Sequence, residues 1–291
     1  MATDGILYLG VDGGGTGCRA RLVDTAGAVL GEGRAGAANI RLGLDVSWGQ
    51  ILRATDQALD EAGLNRTALA RIHAGLGLAG ITGPVDSSRV AGASPGFASV
   101  AAETDAHTAC LGAFGGRDGA ILILGTGSAG YAIVDGKSHP IGGWGFEISD
   151  DGSGAQLGRE AVRAAVRAYD GLGPSSNFTL AIMARLGGHP PDVVAWVNGA
   201  KPGDYGSMAP LTIDFARRGD PVALDLVHLA SGHVRNFVRR LTALGARHVA
   251  LMGGLGPALE PWFDGETRAV LAPAEGDAMD GALLLARRRT A

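Results

Sequence analysis

The sequence predicts an α/β protein built from two related halves. An apolar run of strand length, a turn rich in Gly and Thr or Ser, and a second strand occur in that order twice, starting near residues 6 and 120. Beyond residue 152, apolar residues recur mainly at helical spacing, so the second half is expected to carry extra helices. No low-complexity linker separates the halves. We therefore expect one domain over residues 1–104 and another over residues 105–275.

The first half opens with the clearest of these patterns. Residues 6–11 predict a buried strand, residues 12–17 a glycine-rich turn, and residues 18–23 a second strand. A third strand is predicted over residues 28–33. Apolar residues at helical spacing predict a helix over residues 45–62, which Gly63 ends, and residues 71–78 form the fourth strand.

The second half repeats the opening and then becomes helical. Residues 120–124 and 130–134 predict strands on either side of a turn at 125–128, with a tight turn at 135–136. Helices are predicted over residues 154–169, 176–186, 191–198, 210–218 and 221–244, and strands over 248–252 and 269–272. A last helix over residues 276–289, within the segment 276–291, is expected to pack back on the first half.

Composition excludes several classes of protein. With 46% hydrophobic and 19% charged residues, the chain is not intrinsically disordered. Its 25 basic and 29 acidic side chains form no basic stripe, which disfavours a nucleic-acid partner, and no apolar run is long enough for a signal peptide or a membrane span. Cys18 and Cys110 form neither a CxxC pair nor a disulfide framework. We expect a cytoplasmic protein with no membrane partner.

Glycine is the unusual component, with 49 residues. A minority of them cluster at predicted strand ends, above all in the turns at 13–17 and 125–130, and many others, such as Gly75 and Gly112, have no individual explanation from the sequence. The second turn matches G-x-G-x-x-G, but a strand follows it where a dinucleotide-binding motif requires a helix. Glycines of this kind are compatible with plain structural turns. They also leave backbone N–H groups open to a phosphate, which favours a pair of phosphate-binding loops, one from each half.

Three motifs carry a resemblance to the actin-like ATPase and sugar-kinase superfamily. Within it, the sequence resembles the N-acetylglucosamine kinase and glucosamine kinase group, which also contains the ATPase activators of benzoyl-CoA reductases and dehydratases. The motifs are LGVDGGGT at 9–16, LGTGS at 124–128 and LMGG at 251–254. The resemblance implies two related actin-like (ribonuclease H-like) ATPase domains with a nucleotide and sugar cleft between them, and use of ATP and Mg²⁺. It implies ATP and phosphate binding by Gly13, Gly14, Gly15, Thr16, Gly125, Thr126, Gly127, Ser128, Gly253 and Gly254, while Asp12 would hold Mg²⁺ through water.

Two further segments carry the more specific part of the resemblance. ETDA at 103–106 resembles the segment that holds the catalytic base, which would be Asp105, and GGWGFEISDDGS at 142–153 resembles the sugar-binding segment. The residues alone also allow a simpler role, since Thr104 or Asp105 could cap a helix over 106–113. The implied sugar-binding residues are Asn39, Asp105, Gly143, Trp144, Gly145 and Asp150.

The leading functional hypothesis is an ATP-dependent hexosamine kinase that forms the 6-phosphate for amino-sugar, chitin or cell-wall sugar catabolism, as a homodimer by analogy. Trp144 resembles the N-acetylglucosamine kinases, whereas the stretch 204–221 resembles the bacterial glucosamine kinases, so both sugars stay open. Kinases of other hexose derivatives are an alternative, as is an ATPase activator with an iron–sulfur cluster. The activator needs two thiolates per subunit, and Cys18 and Cys110 do not match the activators' cysteine positions. A filament former or a sugar-responsive regulator is the non-enzymatic alternative.

Overall fold

A computed structural model describes residues 5–288 of the chain. Its strands are β1 Leu7–Gly13, β2 Cys18–Val23, β3 Val29–Ala35, β4 Ile72–Leu78, β5 Ser99–Thr104, β6 Gly119–Leu124, β7 Ser128–Val134, β8 Lys137–Gly142 and β9 Val249–Met252. Its helices are α1 Leu44–Glu61, α2 Pro84–Gly92, α3 Asp105–Ala113, α4 Gly154–Tyr169, α5 Asn177–Arg185, α6 Pro190–Gly199, α7 Pro202–Gly206, α8 Ala209–Arg217, α9 Pro221–Ala243, α10 Gly256–Leu259, α11 Gly265–Ala269 and α12 Ala278–Arg288. Short 3₁₀ turns lie at Ile40–Leu42, Arg66–Arg71 and Glu260–Trp262.

The chain divides into two compact units. The first comprises the residues up to Gly119, Asp135–Ser138 and the residues from Pro273 onward, and the second comprises Ala120–Val134 and His139–Ala272. The division therefore falls after Gly119 rather than after residue 104, because α3 packs with the first unit's strands and with α12.

The first unit is a five-stranded sheet in the order β3-β2-β1-β4-β5. β1 pairs antiparallel with β2 and parallel with β4, and β4 pairs parallel with β5. The strands β1, β4 and β5 therefore end at one edge, where Gly13 lies beside Leu78 and Leu78 beside Thr104. α1 covers one face of the sheet, and α3 and α12 cover the other.

Several glycines of this unit allow helices to lie directly on the sheet. A Cβ atom at Gly75 would lie 1.9 Å from the carbonyl oxygen of Ala282 in α12, and one at Gly10 would lie 2.3 Å from that of Met279. Gly281 and Gly112 bring α12 and α3 equally close together. Much of the glycine excess thus permits close helix packing, for which any side chain would be too large.

The second unit holds a four-stranded sheet in the order β8-β7-β6-β9. β6 and β9 run parallel, with Ile123 beside Met252, so both strands end at the same edge. Helices α4, α5, α8 and α9 pack with this sheet around a core that includes Leu122, Phe178 and Val227, each fully buried.

Most predicted elements are present within a few residues, but some predictions were wrong or incomplete. The predicted strand over residues 269–272 is not formed, since α11 extends to Ala269 and only Leu271 makes a single bridge, to Val249. Pro273 follows at once, which leaves no room for a strand. Helices α2, α7, α10 and α11 and strands β5 and β8 were not predicted. The predicted last helix ends at Arg289, which lies outside the described residues.

Within residues 5–288, no helix is both long enough and apolar enough to cross a bilayer.

Candidate active site

The turn between β1 and β2 is the first of the two loops predicted to bind phosphate, and it is called the first phosphate loop below. The amide of Gly14 donates to the carbonyl of Gly17 at 2.8 Å, which closes the turn. The carbonyls of Gly13 and Gly14 accept from Ala79 and Ala38, which ties the loop to its neighbours. A Cβ atom at Gly15 would meet nothing within 4 Å, so this side of the loop is open to a ligand. Thr16 is exposed on the same loop.

Asp12, the predicted Mg²⁺ residue, is held by Arg19. The two residues face each other across the hairpin, and the Nε and Nη2 atoms of Arg19 donate to Oδ2 of Asp12 at 3.2 and 2.6 Å. The Asp12 side chain is 22% exposed, and Arg19 also lies 3.9 Å from Asp277. Sequence reasoning missed Arg19, although Asp12 and Arg19 lie one residue pair outside a four-residue hairpin turn and could have been paired from that register.

Asp105 is the first residue of α3, directly after β5. Thr104 is the N-cap, since its hydroxyl accepts from the amide of His107 at 3.0 Å. Oδ1 of Asp105 accepts from the amide of Ala106 at 2.8 Å. Burial raises the pKa of the Asp105 carboxyl, the Ala106 amide opposes this shift, and the charge of Asp12 adds to it. Asp105 is therefore a half-buried carboxylate with increased proton affinity. Because Thr104 is the N-cap, helix capping does not explain why residue 105 is an aspartate.

The two carboxylates Asp12 and Asp105 belong to the same edge of the first sheet. β1 and β5 are separated only by β4, and neighbouring strands lie about 4.8 Å apart, which puts the strand ends about 10 Å from each other. The electrostatic effect of Asp12 on Asp105 is consistent with this placement.

Asn39 lies near the same edge. Its Oδ1 accepts from the amide of Arg41 at 2.9 Å, and it caps the 3₁₀ turn Ile40–Leu42. The amide of Ile40 donates to Ala79, the residue that also holds the first phosphate loop. Within the described part of the chain, the Nδ2 group of Asn39 has no hydrogen-bond partner, which leaves two donors for a ligand hydroxyl.

The second loop predicted to bind phosphate, called the second phosphate loop below, joins β6 and β7 and lies at the start of α4. The amide of Gly125 donates to the carbonyl of Gly127 at 2.9 Å. The amides of Gly154 and Ala155 donate to the carbonyls of Gly125 and Thr126 at 2.8 and 3.1 Å. The positive end of a 16-residue helix therefore lies next to this loop, which favours an anion there.

Asp150 lies against this same loop. It adopts a left-handed backbone with φ 62°, is 9% exposed, and places Oδ2 2.9 Å from where a Cβ of Gly127 would lie. Burial raises the pKa of the Asp150 carboxyl, the Ser128 amide opposes this, and the charges of Glu147 and Asp151 add to it. The hydroxyl of Ser128, predicted as a phosphate donor, instead donates to the carbonyl of Asp151 at 2.8 Å.

Trp144 lies in the segment that leads to Asp150. Its side chain is 77% exposed, so the tryptophan is not part of the core. Gly143 and Gly145 on either side have φ of 73° and 97°, conformations that side chains rarely adopt. The sequence therefore presents an indole to solvent on a loop whose shape depends on its glycines.

A cavity of about 390 Å³ opens beside the second phosphate loop. Gly125, Thr126 and Gly254 line it on the loop side. A Cβ at Gly253 would lie 2.5 Å from the carbonyl of Leu124, so the chain can turn there only with glycine. The remaining wall comes from the start of α4, from α7 and α8, and from α10 with the residue before it, through Gly154, Gly206, Ala209, Pro210, Ile213, Arg217, Leu255 and Ala258. The volume is that of a small-molecule pocket.

The structure therefore collects the predicted residues into two groups, one in each unit. The first group is Asp12, Gly13–Thr16, Asn39 and Asp105. The second is residues 125–128, Asp150 and Gly253–Gly254. Sequence reasoning missed the wall formed by α7 and α8, because nothing in the local pattern of residues 202–217 indicates a pocket.

Comparison with known proteins places the chain among sugar-phosphorylating relatives. It is 36% identical over 279 residues to the glucosamine kinase GspK of Vibrio cholerae, which covers 96% of this chain and 95% of that protein. It is 25% identical over 235 residues to the N-acetyl-D-glucosamine kinase of Dictyostelium discoideum, covering 75% and 73% of the two chains. A solved structure from Chromobacterium violaceum, proposed to be an N-acetylglucosamine kinase, superposes with a TM-score of 0.84 at 37% identity, over 97% of this chain and 99% of that one.

These findings confirm the resemblance and the actin-like fold class predicted from the motifs. The family model of the BadF/BadG/BcrA/BcrD ATPases matches residues 9–260, which include both phosphate loops, Asp105 and the glycines after β9. The chain belongs to the BadF/BadG/BcrA/BcrD ATPase family.

Proposed function

We propose that this chain is an ATP-dependent amino-sugar kinase that phosphorylates glucosamine or N-acetylglucosamine on the 6-hydroxyl. The observation that carries the proposal is Asp105, a half-buried carboxylate of raised pKa at the same sheet edge as an open glycine loop. The similarity to glucosamine and N-acetylglucosamine kinases over most of the chain supports it.

Asp105 is the proposed general base. As the 6-hydroxyl oxygen bonds to the γ-phosphorus of ATP and the bond to the β-phosphate oxygen breaks, the hydroxyl proton passes to the Asp105 carboxylate, and ADP leaves. A raised pKa suits this role, since a base is most effective when its pKa approaches the working pH. Positioning and charge stabilisation supply most of the remaining catalysis in phosphoryl transfer.

The phosphates would be held by backbone amides of the two glycine loops, with Thr16 and Thr126 as exposed hydroxyl donors. Asp12 would hold Mg²⁺ through water. Among the described residues no group of three or more His, Cys, Asp or Glu is arranged to bind a metal ion, so phosphate oxygens and water would supply most of the ligands. Bound Mg²⁺ neutralises charge on the β- and γ-phosphates.

The adenosine would lie in the 390 Å³ cavity of the second unit, with its ribose toward Gly254. Four of the eleven lining residues are glycines, which lets a nucleoside approach the backbone closely.

The proposed sugar-binding residues of the first unit include Asn39, and those of the second unit are Trp144, Asp150 and the backbone of Gly143 and Gly145. The free amide of Asn39 offers donors to a hydroxyl, and an exposed indole is a suitable surface for the C–H face of a pyranose. Asp150 would contribute an acceptor, in addition to its contact with the second phosphate loop.

The alternative of an iron–sulfur ATPase activator is not favoured. Cys18 and Cys110 are both buried, and burial, with the charge of Asp12, raises the pKa of Cys18 to about 12. A cluster ligand is a thiolate, and neither cysteine presents one at the surface. Free cysteines also suit a reducing compartment, so we infer a cytoplasmic location, and a homodimer by analogy with related kinases.

A coupled ADP-release assay tests the proposal. Purified protein with ATP and Mg²⁺ is given glucosamine, N-acetylglucosamine, N-acetylmannosamine, N-acetylmuramate or glucose in turn, and NMR identifies the phosphorylated position. We expect turnover with one of the first two sugars and a 6-phosphate product. Turnover only with another sugar would replace the substrate, and sugar-independent ATP hydrolysis alone would overturn the kinase.

A further inference from the structure

Among the residues that the structure describes, Arg217 is the single charged residue that lines the cavity in the second unit. The cavity's other lining residues are glycines and small or apolar side chains, apart from Thr126. The position of Arg217 is therefore the most specific chemical feature of this cavity.

The Arg217 guanidinium is available to a ligand. Over residues 5–288 it forms neither an ion pair nor a side-chain hydrogen bond, and it is exposed. The next residue, Arg218, is also exposed but has partners. It forms an ion pair with Asp214 and lies 4.2 Å from the ring centroid of Phe215.

Helix α8 fixes the end of the cavity at which Arg217 lies. Ala209, Ile213 and Arg217 follow one another at four-residue spacing, so they share a face of the helix. The first of them is near the phosphate loop, since the Cβ of Ala209 lies 3.8 Å from where a Cβ of Gly154 would be, and Gly154 donates to Gly125. Eight residues at about 1.5 Å each place Arg217 about 12 Å further along the axis. It is thus at the end remote from the phosphates.

We propose that Arg217 contacts the base of the bound nucleotide, with its guanidinium stacked on the purine ring. The inference rests on the proposed nucleotide-binding role of this cavity. A planar guanidinium stacks well on an aromatic face. Hydrogen bonding to the edge of the base is disfavoured for an ATP site. Arginine has only donors, so at the base edge it would select guanine, which presents the acceptors O6 and N7, over adenine.

The test measures nucleotide binding directly, by calorimetry, on wild type, Arg217→Ala, Arg217→Lys and the matched control Arg218→Ala. The probes are ADP, GDP and inorganic tripolyphosphate. We expect Arg217→Ala to weaken ADP and GDP equally, by about 3- to 30-fold, and tripolyphosphate by less than twofold. Arg217→Lys should recover only part of the loss, because the ammonium is not planar. Arg218→Ala should bind all three probes as wild type does.

Equal weakening of tripolyphosphate would overturn the inference, since Arg217 would then act on phosphates. A larger loss for GDP than for ADP would overturn stacking in favour of edge recognition, and no loss for any probe would remove Arg217 from the site. These outcomes are independent of turnover. A protein that binds ADP through Arg217 but phosphorylates no amino sugar would refute the proposed function alone.

Discussion

Replacing Asp105 by Asn should remove most of the activity without weakening the fold. A positioned general base contributes about 10²- to 10⁴-fold to the rate, which is about 3–5 kcal/mol of activation free energy. Asparagine keeps the shape of the side chain but cannot accept the hydroxyl proton. We therefore expect kcat to fall by at least about 100-fold, with the Michaelis constants for ATP and sugar little changed.

The structure predicts a small effect on stability. The amide oxygen of Asn can keep the hydrogen bond from Ala106, and the cap formed by Thr104 and His107 does not involve residue 105. Loss of a negative charge at the start of α3 costs about 0.3–1 kcal/mol. Against this, the Asp105 pKa is raised in the folded state, so the ionised carboxylate opposes folding at neutral pH, and its removal is favourable. The free energy of unfolding should change by less than about 1 kcal/mol, measured in urea.

The same pKa shift fixes the sign of the pH dependence. Because the base must be ionised, kcat/KM should fall as pH is lowered through the Asp105 pKa, which lies above the ordinary value of 3.8. The matched control is Glu103→Gln, a half-buried carboxylate at the end of β5 whose pKa burial also raises. Near-normal turnover in the Asp105 variant, or an equal loss in the Glu103 variant, would refute the assignment of the base.

Three further substitutions test other parts of the structure. Gly75→Ala should lower the free energy of unfolding by about 1–3 kcal/mol, measured in urea, because its Cβ would lie 1.9 Å from a carbonyl oxygen of α12. The control Gly49→Ala, whose Cβ would meet nothing within 4 Å, should be neutral or stabilising. Equal effects of the two substitutions would contradict the packing argument. Trp144→Ala should leave the melting temperature unchanged and raise the Michaelis constant for the sugar by about 10-fold. A lower melting temperature with an unchanged Michaelis constant would show instead that Trp144 packs in the core. Asp150→Asn should weaken sugar binding and should tighten the binding of ADP in the absence of sugar, both measured by calorimetry. The control Asp151→Asn, at an exposed position, should change neither affinity.

The sequence predicted the parts of the site that depend on local pattern. The strand, glycine turn and strand at β1–β2 and at β6–β7 are visible because buried strands give continuous apolar runs. β5 and β8 were missed for opposite reasons. The buried residues of β5 are mostly alanines, with little strand signal, and β8 is an edge strand whose sequence KSHPIG contains a proline and is largely polar.

The contacts between distant segments could not be read from the sequence. Gly75 and Gly112 had no individual explanation at that level, and each is accounted for by a carbonyl oxygen more than 150 residues away in the chain, in or beside α12. Asp150 was predicted as a sugar ligand from the resemblance of the 142–153 segment, but only the folded chain shows that its carboxylate lies against Gly127. Such contacts depend on how α12 and the 142–153 segment pack, which local periodicity does not encode.

The two phosphate loops differ in electrostatics although their local sequences are alike. Beside the first loop, the charge of Asp12 is balanced by Arg19, which donates two hydrogen bonds to it. Beside the second, Asp150 is buried, no basic side chain within residues 5–288 forms an ion pair with it, and the amide of Ser128 is its compensating donor. A phosphate needs such amides, so a carboxylate that accepts from one competes with it. Because Asp150 and Trp144 belong to one segment, a sugar that draws Asp150 away would free the Ser128 amide, and sugar binding would then favour nucleotide binding in the second unit.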